Sequence, residues 1–206
     1  MKLNQISLHF LVLIFLWALP IQAAAVTRIL FLGDSITAGF GIEKDKAYPA
    51  LVGAAMVEKG FDDIRIINAG ISGSTSASAM SRLKWYSRIQ PQVLVLALGG
   101  NDGLRGISVE SMKSNLEKTI QFALAKGMKV ILAGMQMPPN YGERYTADFR
   151  KMYRDLASVY PITFMPFLLE DVGGRPELNL PDGIHPTPEG HRLIAANILP
   201  YLLENL

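Results

Sequence analysis

Three polar residues could together form a serine nucleophile and the base that activates it. Ser35 follows an apolar run, and Asp182 lies three residues before His185. Serine is a weak nucleophile until a neighbouring base takes its proton. The spacing lets Asp182 accept a hydrogen bond from one ring nitrogen of His185, which fixes the tautomer and supports the imidazolium. We therefore predict that Ser35, Asp182 and His185 are catalytic.

Candidate bases are scarce in this chain. Beyond residue 25 the only histidines are His185 and His191. His191 falls within a helical stretch, where we expect an ordinary surface residue. The sequence therefore favours His185 as the base.

Acyl transfer also needs hydrogen-bond donors aimed at the position where the oxyanion forms. Small, polar, glycine-rich segments follow the predicted strands, and glycine lets a backbone N–H approach a bound group closely. Three candidate donors follow three separate strands: the N–H groups of Ser35 and Gly73 and the side-chain amide of Asn101. The amide donates without carrying a charge that titrates.

Apolar runs of strand length alternate with helical patterns along the chain. The predicted strands are Arg28–Leu32, Ile64–Asn68, Val93–Leu98, Lys129–Ala133 and Ile162–Met165. Each is rich in Val, Ile and Leu, as expected for strands buried on both faces of a parallel sheet. The clearest helix covers Val109–Lys126 behind a Ser108 cap, and the last begins at Thr187-Pro188.

This alternation predicts a three-layer α/β domain with a mostly parallel sheet, in which ligands bind beyond the carboxyl ends of the strands. The predicted catalytic residues and donors lie at those ends. We find no internal repeat or linker, so we expect a single domain over residues 26–206.

Composition excludes several classes of function. The chain has 206 residues, is 50% hydrophobic and 18% charged, and carries a net charge of +2. These values argue against disorder and give no electrostatic case for nucleic-acid binding. Cysteine is absent, which excludes thiolate nucleophiles, cysteine-based zinc sites, iron–sulfur clusters and disulfides.

Residues 1–25 have the pattern of a secretory signal peptide. Lys2 is followed by an apolar run from Phe10 to Leu19 and then by the small residues Ala23–Ala25. A basic start, a short apolar centre and an A-x-A end are its three parts. We expect cleavage after Ala25, a periplasmic or secreted protein, and no stable membrane insertion afterwards.

At these motifs the chain resembles the SGNH (GDSL) hydrolase superfamily, especially its exported thioesterase, lysophospholipase and arylesterase branch. The matching blocks are Gly33–Ile36, Asn68–Thr75, Gly99–Asp102 and Asp182–Pro186. The resemblance implies a flavodoxin-like fold with strand order 2-1-3-4-5 and no metal or organic cofactor. It also implies that Gly73, rather than Gly70, is the glycine donor.

The substrate-binding residues are predicted from one loop. The loop after the fourth strand carries Met135, Pro138, Asn140 and Tyr141, which we predict to bind substrate, since Met, Pro and Tyr can form an apolar wall. We expect a monomer acting on medium to long acyl esters, with thioesters and lysophospholipids as further substrates. A short-chain acetyl or carbohydrate esterase is the alternative within this class.

Two alternatives come from other classes of protein. A flavodoxin-type module would hold a phosphate or flavin with Ser35, Thr37 and the first helix N-terminus, but it leaves Asp182 and His185 unexplained. A metallophosphoesterase would use Asp34, Asn101, Asp182 and His185, and the shortage of histidines argues against a dinuclear site.

Overall fold

The computed structural model describes residues 26–206, so the predicted signal peptide lies outside the described residues. The five strands are β1 Thr27–Gly33, β2 Ile64–Gly70, β3 Val93–Ala97, β4 Lys129–Ala133 and β5 Thr163–Met165. The α-helices are α1 Ser35–Ala38, α2 Tyr48–Glu58, α3 Ala79–Tyr86, α4 Gly100–Leu104, α5 Val109–Ala125, α6 Glu143–Val159 and α7 Pro188–Leu203. None of these helices is long and apolar enough to cross a bilayer.

The strands form one parallel sheet in the order β2-β1-β3-β4-β5. The connection from β1 to β2 runs in one direction across the sheet, and the connections from β2 to β3, β4 and β5 run in the opposite direction. Right-handed crossovers therefore put α2 on one face of the sheet and α3, α5 and α6 on the opposite face. Packing agrees, since α2 contacts α7 while α5 contacts both α3 and α6. The predicted three-layer α/β fold is confirmed.

Burial differs between the centre and the edges of the sheet. The strands β1, β3 and β4 are almost wholly buried, whereas β2 is partly exposed along most of its length. In β5, two of the three residues are also only partly buried. The expectation of burial on both faces is therefore wrong for β2 and β5. The physical reason is their position at the two edges of the sheet, where one long side of the strand has no neighbouring strand.

Helix starts follow their capping residues. Ser108 accepts a hydrogen bond from the backbone N–H of Ser111 at 3.2 Å, and Thr187 accepts one from Gly190 at 3.2 Å. These side chains satisfy N–H groups that have no partner within the helix. Both predicted helix starts are confirmed.

Strand register brings three chain segments to one level. Gly33, the last residue of β1, is aligned with Gly70 of β2 and Ala97 of β3. The loops that follow these three strands therefore leave the sheet side by side. The carboxyl edge is where an open parallel sheet binds ligands.

Candidate active site

Ser35, His185 and Asp182 form a continuous hydrogen-bonded chain. Ser35 is the first residue of α1, and its Oγ lies 2.8 Å from Nε2 of His185. The other ring nitrogen, Nδ1, lies 2.7 Å from Oδ2 of Asp182. These distances are those of direct hydrogen bonds. The structure thus brings together three residues, although Ser35 and His185 are separated by 150 positions in the chain.

Asp182 is held in its ionised form by the turn that it begins. Its Oδ1 accepts hydrogen bonds from the backbone N–H groups of Ile184 at 2.9 Å and His185 at 3.0 Å. These bonds, together with the bond from the His185 ring, lower the pKa of Asp182 to about 2. The carboxylate can therefore orient the imidazole and stabilise its protonated form.

Phe40 also contacts His185, and sequence reasoning missed it. The centroids of the two rings are 4.5 Å apart. Gly39 ends α1 in the left-handed conformation, with a φ of 76°, and this turn carries the following residue round towards the site. No signal in the sequence separates Phe40 from any other exposed aromatic residue.

Hydrogen bonds at the end of β2 and in the loop after it distinguish Gly70 from Gly73, the two glycines considered as oxyanion donors. Gly70 donates its N–H to Oδ1 of Asn68 at 2.9 Å, and a Cβ at Gly70 would lie 2.2 Å from the backbone nitrogen of Ala38. Gly70 therefore serves the close packing of β2 under α1. Within the described residues, the N–H groups of Gly73 and Ser35 donate to no protein acceptor. Ser35 lines the cleft beside the site, whereas Gly73 is not among the residues that line it.

Asp34 is a buried carboxyl group between the serine and the predicted amide donor. It is 5% exposed, and it caps α1 by accepting from the backbone N–H of Ile36 at 3.0 Å. Its second oxygen lies 3.4 Å from Nδ2 of Asn101. Burial raises the pKa of Asp34 to about 6. The sequence pattern predicts no role for Asp34 outside the metal-dependent alternative.

A cleft of about 490 Å³ opens beside these groups and is lined by Ser35, Asn101 and His185. Its apolar wall comes from several loops and includes Leu104, Met135, Met137, Pro138, Phe167, Leu169 and Ile184. Of the predicted substrate loop, Met135 and Pro138 line the cleft, whereas Asn140 and Tyr141 do not. Asn140 and Tyr141 lie on the short 3-10 turn Pro139–Tyr141. The Tyr141 hydroxyl donates a hydrogen bond to the carbonyl oxygen of Leu104 at 3.4 Å.

His191 is not the surface residue that the sequence predicts. Its side chain is fully buried, and Nδ1 accepts a hydrogen bond from the backbone N–H of Tyr48 at 3.2 Å. The reason is that α7 packs against α2 through the face that carries His191. Burial lowers the pKa of His191 to about 4, so this ring is neutral at physiological pH.

The residues named by the metal-dependent alternative lie near one another but do not form a set of metal ligands among the described residues. Within residues 26–206, no three His, Cys, Asp or Glu side chains are grouped so that they could hold a metal ion. The arrangement of Ser35, His185 and Asp182 instead suits proton transfer from a hydroxyl nucleophile.

Known proteins with similar sequences are esterases and related hydrolases. Esterase TesA of Pseudomonas aeruginosa is 40% identical over 182 residues, covering 88% of this chain and 90% of that protein. An arylesterase of Vibrio mimicus is 36% identical over 200 residues, covering 97% and 100% respectively. Thioesterase 1/protease 1/lysophospholipase L1 of Escherichia coli K12 is 34% identical over 196 residues, covering 95% and 92%.

Solved structures and a family profile agree with these relatives. The crystal structure of TesA superposes with a TM-score of 0.84 at 39% identity, covering 87% of this chain and 100% of that one. A structure of psychrotrophic esterase EstA from Pseudoalteromonas, inhibited by monoethylphosphonate, gives 0.82 at 30% identity, covering 86% and 97%. The profile of the GDSL-like Lipase/Acylhydrolase family matches residues 31–193. The chain therefore belongs to this GDSL, or SGNH, hydrolase family, which confirms the resemblance of its motifs.

Proposed function

We propose that the protein is a serine esterase that hydrolyses carboxylic esters through a covalent acyl-enzyme. The observation that carries this proposal is the unbroken chain of hydrogen bonds from Ser35 through His185 to Asp182. The esterase, arylesterase and thioesterase names of its relatives support the same class of reaction.

The first half of the reaction forms the acyl-enzyme. His185 Nε2 takes the hydroxyl proton while Ser35 Oγ attacks the ester carbonyl, and the ionised Asp182 stabilises the resulting imidazolium. The imidazolium then protonates the leaving alcohol as the bond from the carbonyl carbon to that alcohol breaks. The product at this stage is an ester between the acyl group and Ser35.

The second half uses water as the nucleophile. His185 takes a proton from water, and the hydroxide attacks the acyl carbonyl. The second tetrahedral intermediate then collapses with return of the proton to Ser35. In both halves the N–H groups of Ser35 and Gly73 and the amide of Asn101 act as the oxyanion donors. Removal of one such donor costs about 10²–10³ in kcat.

The lining of the cleft is the basis for proposing esters with medium to long acyl chains as substrates. Its wall is built from Leu, Met, Phe, Pro and Ile side chains, which favour contact with methylene groups over contact with a sugar. The relative named for thioesterase and lysophospholipase activities supports thioesters and lysophospholipids as additional substrates. An acetyl group would leave most of a cleft of about 490 Å³ unfilled.

Hydrolysis of p-nitrophenyl esters tests this proposal. We expect activity that rises from acetyl to medium chain lengths and that falls on the order of 10⁶-fold in Ser35→Ala. Ser158→Ala removes an exposed serine on α6 and is the matched control. A fluorophosphonate should label the wild type and the control once, and should not label Ser35→Ala. Near-normal hydrolysis by Ser35→Ala would refute the proposal, and an acetyl optimum would favour the short-chain alternative.

We further propose that residues 1–25 are removed on export and that residues 26–206 act as one monomeric domain in the periplasm or outside the cell. The basic residue, apolar run and alanines before residue 26 support this, as does the start of β1 at Thr27. The mass of the protein recovered from the periplasmic fraction tests cleavage after Ala25. A full-length protein retained in the cytoplasm would contradict it.

A further inference from the structure

Asp102 is a buried carboxylate to which the proposed reaction gives no role. It lies on α4 directly after Asn101, and it is 1% exposed. Burying a carboxylate costs several kcal/mol unless hydrogen bonds compensate it. Its hydrogen-bond partners therefore show which part of the structure this buried carboxylate holds in place.

Both of these partners belong to Ser76. Its backbone N–H donates to Oδ2 of Asp102 at 2.8 Å, and its hydroxyl donates to Oδ1 at 2.6 Å. Ser76 is itself 1% exposed, and its hydroxyl also accepts from the side chain of Asn115 on α5 at 3.1 Å. Because one of the two bonds is to the backbone, Asp102 fixes the path of the chain as well as a side chain.

The chain segment that is fixed in this way carries Gly73. Ser76 follows Gly73 by three residues in the loop after β2. Arg105, the residue directly after α4, makes a second attachment, since its Nη2 donates to the carbonyl oxygen of Gly73 at 3.1 Å. The glycine loop is therefore attached at two points to α4 and the residue that follows it, once at the carbonyl oxygen of Gly73 and once at Ser76.

We propose that Asp102 is a positioning residue of the oxyanion hole, which holds the N–H of Gly73 in register with the amide of Asn101. This inference rests on the proposed function and deepens it. Asn101 and Asp102 are neighbours on one short helix, so the helix that presents the amide donor also anchors the loop that presents the backbone donor. The two donors then move as one body with respect to Ser35.

The expected consequence is a loss of transition-state stabilisation with little effect on substrate binding. A displacement of about 1 Å at a reacting centre costs on the order of 10²-fold in rate. In Asp102→Asn, the amide oxygen can still accept from the N–H of Ser76, but the amide nitrogen cannot accept from its hydroxyl. We expect kcat to fall about ten-fold or more, with KM unchanged within about two-fold.

A trifluoromethyl ketone provides a readout that a purely structural role would not change. Ser35 adds reversibly to its carbonyl and gives an anionic hemiketal, whose oxygen occupies the oxyanion hole. The inhibition constant of this ketone should rise in Asp102→Asn by the same factor as kcat falls. Ile198→Val removes one buried methylene group from α7, which lowers stability slightly, and it should change neither quantity.

Ser76→Ala is the second variant, and it keeps the backbone bond to Asp102. Loss of one hydrogen bond, worth about 1 kcal/mol, predicts a parallel change of about five-fold in kcat and in the inhibition constant. If both variants fold and keep the wild-type kcat and inhibition constant, the inference is overturned. That outcome differs from failure of the proposed function, in which Ser35→Ala itself retains activity.

Discussion

Replacing Asp34 by Asn should make the protein more stable and less active. The carboxyl group is buried, and its pKa is raised from 3.8 to about 6 because burial disfavours the charged form. The native state therefore binds this proton more tightly than the unfolded state does. Stability is lost as the pH rises through the interval from about 4 to 6, and the full cost is present above that interval.

The magnitude follows from the two pKa values. Each pKa unit corresponds to about 1.4 kcal/mol, so the ionised carboxylate costs the fold up to about 3 kcal/mol at pH 7. Asn caps a helix about as well as Asp does, and it keeps an oxygen for the backbone N–H of Ile36. Asp34→Asn should therefore recover most of this cost at pH 7 and almost none at pH 4.

Activity should change in the opposite direction. The oxygen of Asp34 that lies 3.4 Å from Nδ2 of Asn101 becomes an amide nitrogen, which places two donors against each other. The nearby negative charge, which interacts with His185, is also lost. We expect kcat to fall by about ten-fold to 10³-fold, the upper limit being the loss of an oxyanion donor.

Urea unfolding between pH 4 and pH 8, together with kcat at pH 8, tests this prediction. The difference in the free energy of unfolding between Asp34→Asn and the wild type should grow with pH and level off above pH 6. Asp155→Asn is the control, because Lys151 lowers the pKa of that carboxyl group, and its removal should stabilise at no pH. A difference that is constant from pH 4 to pH 8 would refute the reasoning.

Three substitutions at other positions have equally specific expected outcomes. Burial lowers the pKa of His191 from 6.5 to about 4, so the unfolded chain binds this proton more tightly than the native state does. The free energy of unfolding should therefore decrease as the pH falls from about 6.5 to 4, and urea unfolding should show a smaller decrease for His191→Gln. Asp182→Asn should lower kcat about 10⁴-fold by favouring the wrong tautomer of the base, measured with p-nitrophenyl esters; a loss under ten-fold would contradict that role. Gly99→Ala would place a Cβ 2.0 Å from the Tyr153 hydroxyl at a φ of 125°, and its thermal midpoint should drop far more than that of Gly127→Ala, which has open space.

The parts of the site that the sequence predicts are those whose residue type is rare or whose place is fixed by the strands. Few histidines compete with His185 for the role of base, and buried strands give their boundaries through continuous Val, Ile and Leu. In a parallel sheet the carboxyl ends of these strands lie side by side, as the alignment of Gly33 with Gly70 and Ala97 shows. These features need no knowledge of side-chain packing.

Contacts between distant loops are less accessible to sequence reasoning. Phe40 and Ile184 meet the site through turns whose direction depends on single backbone angles. The cleft wall uses apolar residues of the same types as the core. His191 is different, because its spacing of three and seven residues from Ile194 and Ile198 puts it on the buried face of α7. That periodicity was present in the sequence and predicts burial.

The distance along the chain between Ser35 and His185 affects when the enzyme can become active. A polypeptide is made from its amino terminus, and the 150 positions that separate the proposed nucleophile Ser35 from the proposed base His185 span most of the described residues. The nascent chain cannot bring Ser35, Asp182 and His185 together until its last segment has been synthesised and has folded onto the sheet. A ribosome-bound chain therefore carries Ser35 without His185, and by the proposed mechanism it has no esterase activity before synthesis is almost complete.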